Sequence, residues 1–176
     1  MKYLPITFCV PLFIAGIALA SSLKVGDVAP GFEIYGEKSV PLNSSSLKEK
    51  VLVITYETKD VVDKNKKFKD RMLDYLSRDD TRSTVAIVPV INCFKYTWPF
   101  DKYCITKVQG NARTLGMRLY DDRKGTMYDD FNMRDNESNV FIVDKKGVVS
   151  YRKADRLNDT EIDDVMKLLQ KLGLQK

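Results

Sequence analysis

Val51-Leu52-Val53-Ile54-Thr55-Tyr56-Glu57-Thr58-Lys59-Asp60-Val61-Val62-Asp63 is the stretch whose reading decides the fold. Its first half is a β-branched apolar run bounded by polar residues, the pattern of a core strand in a mixed sheet. Beyond Asp60 the apolar positions Val61, Phe68, Met72, Tyr75 and Leu76 recur at helical intervals, which predicts a helix of about four turns covering one face of that sheet. Where a strand end feeds a helix start, free backbone N–H groups and the positive end of the helix dipole favour a thiolate, a carboxylate or a bound anion. The residues at this junction are Asp60 and Asp63. They read either as caps that complement the dipole or as an acid pair belonging to a cation site. Glu57 and Lys59 read as residues that solvate the strand end.

Working outward, residues 84–92 form a second buried strand, in which Pro89 lacks a ladder donor and is expected to mark a bulge or the strand end. Cys93 follows, then an aromatic loop over 94–99 holding the single tryptophan, Trp98, then a helix over 100–115 with Cys104 on its first turns. Residues 117–120 read as a short strand, 121–125 as a turn, and 127–133 as a short helix or loop. The segment 140–151 is a β-hairpin turning at Lys146-Gly147. Asn158-x-x-Glu161 resembles a capping box, and Ile162, Val165, Met166, Leu169 and Leu172 make the apolar stripe of a closing helix. Upstream, turn residues and alternating apolar positions over 25–34 suit a leading loop followed by an edge strand, and 43–46 is a polar loop.

The chain has 176 residues, 44% hydrophobic and 30% charged, which suits one globular domain with an ordinary core. Of its net charge of +5, a conspicuous part lies in Lys64, Lys66, Lys67, Lys69 and Arg71. No aromatic stacking pattern accompanies that cluster, so it reads as a solvated helix face and not as a nucleic-acid surface. Histidine is absent, which removes Ser-His and Cys-His nucleophile systems and imidazole metal ligands together. Asp121-Asp122 and Asp129-Asp130 lack the ligand spacing of a calcium loop, and neither a metal nor a cofactor is predicted.

Lys2 and an apolar stretch over 4–20 ending in Ala18-Leu19-Ala20 have the form of a secretory signal cleaved after Ala20, which leaves a domain over 21–176. Pro5, Pro11 and the want of a stop-transfer charge cluster count against an uncleaved anchor, so no stable membrane insertion is expected after cleavage. Cys9 travels with the signal. Cys93 and Cys104 then form an even pair in an exported chain and are expected to bond. A structural bond closing so short a loop contributes about 2 to 3 kcal/mol; the alternative is a displaced redox pair at the end of a core strand. Trp98 and its neighbours Phe94, Tyr96 and Phe100 either line a groove for a peptide or glycan or pack over the sheet.

The order strand, helix, strand, helix, hairpin, helix, preceded by Gly26-Asp27-x-Ala29-Pro30-x-Phe32, resembles the thioredoxin-like fold in its redoxin and peroxiredoxin form. That resemblance implies an α/β three-layer sandwich, a central mixed sheet flanked by helices. The second half is similar to YtfJ-type periplasmic proteins in Tyr120-Asp121, Ser138, Lys145-Lys146-Gly147, Leu157 and Glu161, which implies a periplasmic location. Aligning Leu52-Val53 with the strand before the Cys-x-x-Cys of such oxidoreductases sets Asp60 and Asp63 where the redox cysteines stand. The proline held in cis beside the dithiol falls near Ser138, and no peroxidatic cysteine exists between Val51 and Leu76. The resemblance therefore implies a protein without dithiol activity, a binding or accessory module for an envelope protein or small ligand. Asp60, Asp63, Trp98 and Ser138 are its candidate binding residues. The alternative is a thiol oxidoreductase or peroxidase working through Cys93 and Cys104.

Overall fold

The computed structural model describes residues 22–174 apart from 78–80, 82 and 116–117. The predicted signal over 1–20, with Cys9, lies outside the described residues. Strands β1 (Glu33–Tyr35), β2 (Pro41–Asn43), β3 (Val51–Glu57), β4 (Val85–Asn92), β5 (Tyr120–Asp122), β6 (Asn139–Val143) and β7 (Val149–Ala154) form a mixed sheet in the order β2-β1-β5-β4-β3-β6-β7. Helices α1 (Lys66–Leu76), α2 (Phe100–Leu115), α3 (Thr126–Asp130) and α4 (Asp159–Leu174) complete it. The architecture is the predicted α/β thioredoxin-like sandwich.

Strand β3 is the axis. It pairs parallel with β4 and antiparallel with β6, and all seven of its residues are buried. Its period of two divides the core. Leu52, Ile54 and Tyr56 face one layer with Phe32, Phe131 and Phe141, whose rings meet edge to face. Val51 and Val53 face the other with Phe68 and Met72 of α1 and Val165 and Leu169 of α4. The closing helix begins as its capping box requires: Asn158 Oδ1 accepts from the Glu161 N–H at 2.9 Å, and Glu161 Oε2 accepts from the Asn158 N–H at 2.8 Å.

Four expectations are corrected. The helix after β3 starts at Lys66, not at Asp60, and runs 11 residues. Residues 58–65 wind through successive i→i+3 bonds, Val61 N–H to Thr58 O at 3.1 Å and Lys64 N–H to Val61 O at 3.0 Å, and the Asn65 side chain bonds Ser138 instead of capping the helix. Strand β1 is interior, between β2 and β5, and β2 is the edge. Pro89 neither breaks nor bulges β4: the register with β3 runs unbroken through Thr55↔Pro89, and the β5 ladder begins only at Val90, so one side of Pro89 needs no donor. Asp121 and Asp122 are not in a turn but in buried β5. Arg123 grips both carboxylate oxygens of Asp121, at 2.7 and 2.8 Å, and Asp122 accepts from the Tyr56 hydroxyl at 3.1 Å and from the Gly125 N–H at 2.8 Å. Burial pushes the Asp122 carboxyl and the Tyr56 phenol above their ordinary ranges.

The basic cluster is matched by acids. Lys64 meets Glu137 at 2.5 Å, Lys66 meets Asp70 at 2.6 Å, Lys67 meets Asp159 at 2.7 Å, and Arg71 pairs with Asp163. Lys67 and Arg71 thus bind α1 to α4.

Candidate functional site

Parallel strands β3 and β4 finish on the same side of the sheet, and the two ends are built differently. Glu57, the last residue of β3, is only 4% exposed. One of its oxygens accepts from the Ser138 hydroxyl at 2.5 Å and the other from Lys69 Nζ at 2.8 Å. Ser138 Oγ in turn accepts from Asn65 Nδ2 at 2.9 Å. Asn65 also donates to the Asp155 carbonyl at 2.9 Å and accepts from the Leu157 N–H at 2.8 Å. This knot joins the end of β3, the start of α1, the start of β6 and the segment leading into α4. Burial raises the Glu57 carboxyl, while the Lys69 ammonium and the Ser138 hydroxyl pull it back down.

Both carboxylate oxygens of the knot are already engaged by donors, and no sulfur lies within it. Ser138 is wholly buried, so it works inside the knot and presents nothing at the surface. Glu57, expected to solvate the strand end, is instead its buried centre. Asp60 and Asp63 are exposed on the turns ahead of α1 and stand outside the knot. Sequence reasoning missed Glu57 and Asn65. The available signal was the period of β3, which sends Glu57 to the same face as Val51 and Val53, under α1.

One strand over, Cys93 follows β4 and is bonded to Cys104 on α2, their Cα atoms 5.6 Å apart. Cys93 is wholly buried and Cys104 half-buried. The loop between them does not pack its rings over the sheet, contrary to one of the two expectations. Backbone bonds and one lysine anchor it: Phe94 N–H donates to the Asp122 carbonyl at 3.0 Å, Phe100 N–H to the Thr97 carbonyl at 2.8 Å, and Lys95 Nζ to Asp135 at 2.9 Å. The rings are left outward, Trp98 at 75% exposure and Phe100 at 64%. Phe94 lies against Gly125, where a Cβ would come within 2.5 Å of its ring and where φ is +73°, so glycine is required twice over.

Beside the bond an open groove of about 760 Å³ runs between the 59–62 turn and α2. Val62, Ile91, Cys104 and Val108 give it an apolar floor, and Tyr96 and Tyr103 stand in its walls. Lys59 Nζ sits 5.9 Å from the Tyr96 ring centre and Lys107 Nζ 5.4 Å from that of Tyr103. Among the described residues no group of three or more His, Cys, Asp or Glu side chains is placed to hold a metal ion, and no helix is long and apolar enough to cross a membrane.

Residues 38–172 match the family described as "Bacterial protein of unknown function (YtfJ_HI0045)". No curated protein sequence matches the chain significantly. Solved structures do. A protein provisionally described as a protein disulfide isomerase, from Bacteroides thetaiotaomicron, superposes with a TM-score of 0.67 at 16% identity, covering 87% of this chain and 92% of that one. A protein provisionally described as the thiol:disulfide interchange protein DsbE, from Chlorobium tepidum, gives 0.65 at 15% identity over 86% and 99%. A cysteine-to-serine mutant of PrxQ from Xylella fastidiosa gives 0.61 at 11% identity over 86% and 98%. At these identities the likeness is one of fold.

Proposed function

The chain belongs to the YtfJ_HI0045 family of bacterial proteins, and from that premise we propose that it is an exported, periplasmic thioredoxin-like module that binds a partner or ligand and performs no dithiol chemistry. The observation that carries this reading is that Asp60 and Asp63 align with the cysteines of the redoxin pattern, beside a β3 end closed by the Glu57–Ser138–Asn65 knot. Dithiol exchange needs a thiolate that a substrate sulfur can reach. At that strand end there is a carboxylate sealed under a lysine and a serine, and no cysteine lies between Val51 and Leu76. The test is insulin reduction and peroxide consumption by the purified protein. Both are expected at blank level, and turnover that survives removal of Cys93 and Cys104 contradicts the reading.

One observation favours the second reading, exchange through Cys93 and Cys104: the half-buried Cys104 lines an open groove. Against it stands the complete burial of Cys93, which leaves the leaving-group sulfur without solvent to stabilise a thiolate. Turnover abolished by Cys104→Ser is the outcome that selects this alternative.

A further inference from the structure

We propose that the groove between the 59–62 turn and α2 docks an extended peptide segment of a partner protein, one that offers an apolar side chain flanked by carboxylates. This deepens the binding role proposed above and rests on it. Three features of the groove specify that occupant. Its floor is apolar and continuous with the buried disulfide, so a ligand placed there must bring an apolar group to be worth desolvating. Its volume, about 760 Å³, falls within the range of roughly 300 to 1,000 Å³ that buries a ligand group effectively. Its only charged lining residues are Lys59 and Lys107, with no carboxylate among them.

Those two lysines differ from the cluster on α1. Lys64, Lys66, Lys67, Lys69 and Arg71 each have an acidic partner, whereas among the described residues Lys59 and Lys107 lie over aromatic rings and enter no ion pair. Their charge is therefore directed at whatever occupies the groove, and the complement is a carboxylate on each side of an apolar anchor. Tyr96 lines the groove, and among the described residues its buried hydroxyl has no hydrogen-bond partner, which leaves a donor for a peptide carbonyl. The surface also extends past the groove mouth. Phe94, Trp98, Phe100 and Tyr103 are all more than half exposed within ten residues of chain, a run of rings that suits an extended segment better than a compact small molecule.

The experiment uses the protein purified with its disulfide intact and an acetylated, amidated hexapeptide, Asp-Leu-Phe-Glu-Leu-Asp, beside the same peptide with lysine for each acid. Backbone amide shifts are followed by NMR during titration. The acidic peptide is expected to shift Lys59, Tyr96, Tyr103 and Lys107 saturably and to bind at least about tenfold more tightly than the basic one. The double variant Lys59→Glu, Lys107→Glu should reverse that preference, and Tyr103→Ser should weaken both peptides. All three substitutions fall on exposed side chains, and the remaining amide spectrum reports whether the fold is kept. Equal affinity for the two peptides, no saturable shift, or shifts confined to another surface overturn the proposal. Peptide silence from a protein that is also inactive on insulin sinks the groove alone, whereas insulin turnover sinks the non-dithiol reading and leaves the peptide result to stand on its own.

Discussion

The last residue of β3, Glu57, is sealed beneath Ser138 and Lys69, whereas the segment that leaves the neighbouring strand β4 buries only Cys93 and turns Phe94, Trp98 and Phe100 to solvent. Both segments leave the same side of the same sheet. The difference lies in what each side chain does with its bonding capacity. At the β3 end the donors and acceptors are spent on one another, which holds α1, β6 and α4 together and leaves nothing exposed to react. At the β4 end the backbone, one disulfide and the Lys95–Asp135 pair hold the loop, and the rings of Phe94, Trp98 and Phe100 are left exposed to meet another molecule. The β3 end, beside the turns that carry Asp60 and Asp63, is closed by a structural joint, and the open surface stands one strand away.

The comparison breaks first at Asn65. Its side chain serves Ser138, the Asp155 carbonyl and the Leu157 N–H, all from a site 2% exposed, so Asn65→Ala is expected to cost about 3 kcal/mol in urea unfolding. A cost within the range of a surface substitution would mean that the knot holds nothing together. Next comes Cys104→Ser, for which about 2 to 3 kcal/mol is expected from the loop entropy returned to the unfolded chain. Trp98 emission should hardly move in that variant, because Trp98 is already 75% exposed. A large blue shift would show that the loop had been holding its rings away from a better site on the sheet.

The third prediction concerns pH. Burial raises the folded-state carboxyl of Glu57 above its ordinary value, so its contribution to stability is complete below the unfolded value and is lost as pH rises through the folded value. The stability of the native protein relative to Glu57→Gln should therefore fall with rising pH just above the ordinary carboxylate range. A relative stability that instead grows with pH there would show Lys69 outweighing burial. The smallest effect is expected at the positions first singled out: Asp60→Ala and Asp63→Ala, both exposed on turns, should each change stability by no more than about 0.5 kcal/mol in the same urea experiment.

Much of this fold could be read from local pattern. The β3 and β4 runs, the hairpin of β6 and β7 and the Asn158/Glu161 box each carry their signal within a few residues, and the structure has them where the pattern puts them. The features that escaped depend on partners far along the chain. The helix α1 starts only at Lys66, and the Asn65 side chain ahead of it bonds Ser138, 73 residues away. Glu57 looked like a solvated strand end because its acceptors are filled by Ser138, 81 residues on, and by Lys69 from a helix whose start was misplaced. Asp121 and Asp122 have turn-like composition, yet they pair with Ile91 and Asn92 of β4, and their buried carboxylates are met by the Arg123 fork and by the Tyr56 hydroxyl, 66 residues from Asp122. Ser138 was picked out by its match to a family position, and its role as a buried link was not visible in that match.

The claim on which the rest depends is that this thioredoxin-like chain performs no dithiol exchange, and the most direct measurement of it is equilibrium titration of the Cys93–Cys104 bond in glutathione redox buffers, read by alkylation and mass spectrometry. A bond that serves only to hold the loop, with Cys93 buried in the core, should stay oxidised across the accessible range, with a potential below about −300 mV. Half-reduction between about −180 and −230 mV, where working oxidoreductases are poised, would contradict the account and move the protein's chemistry to the β4 end.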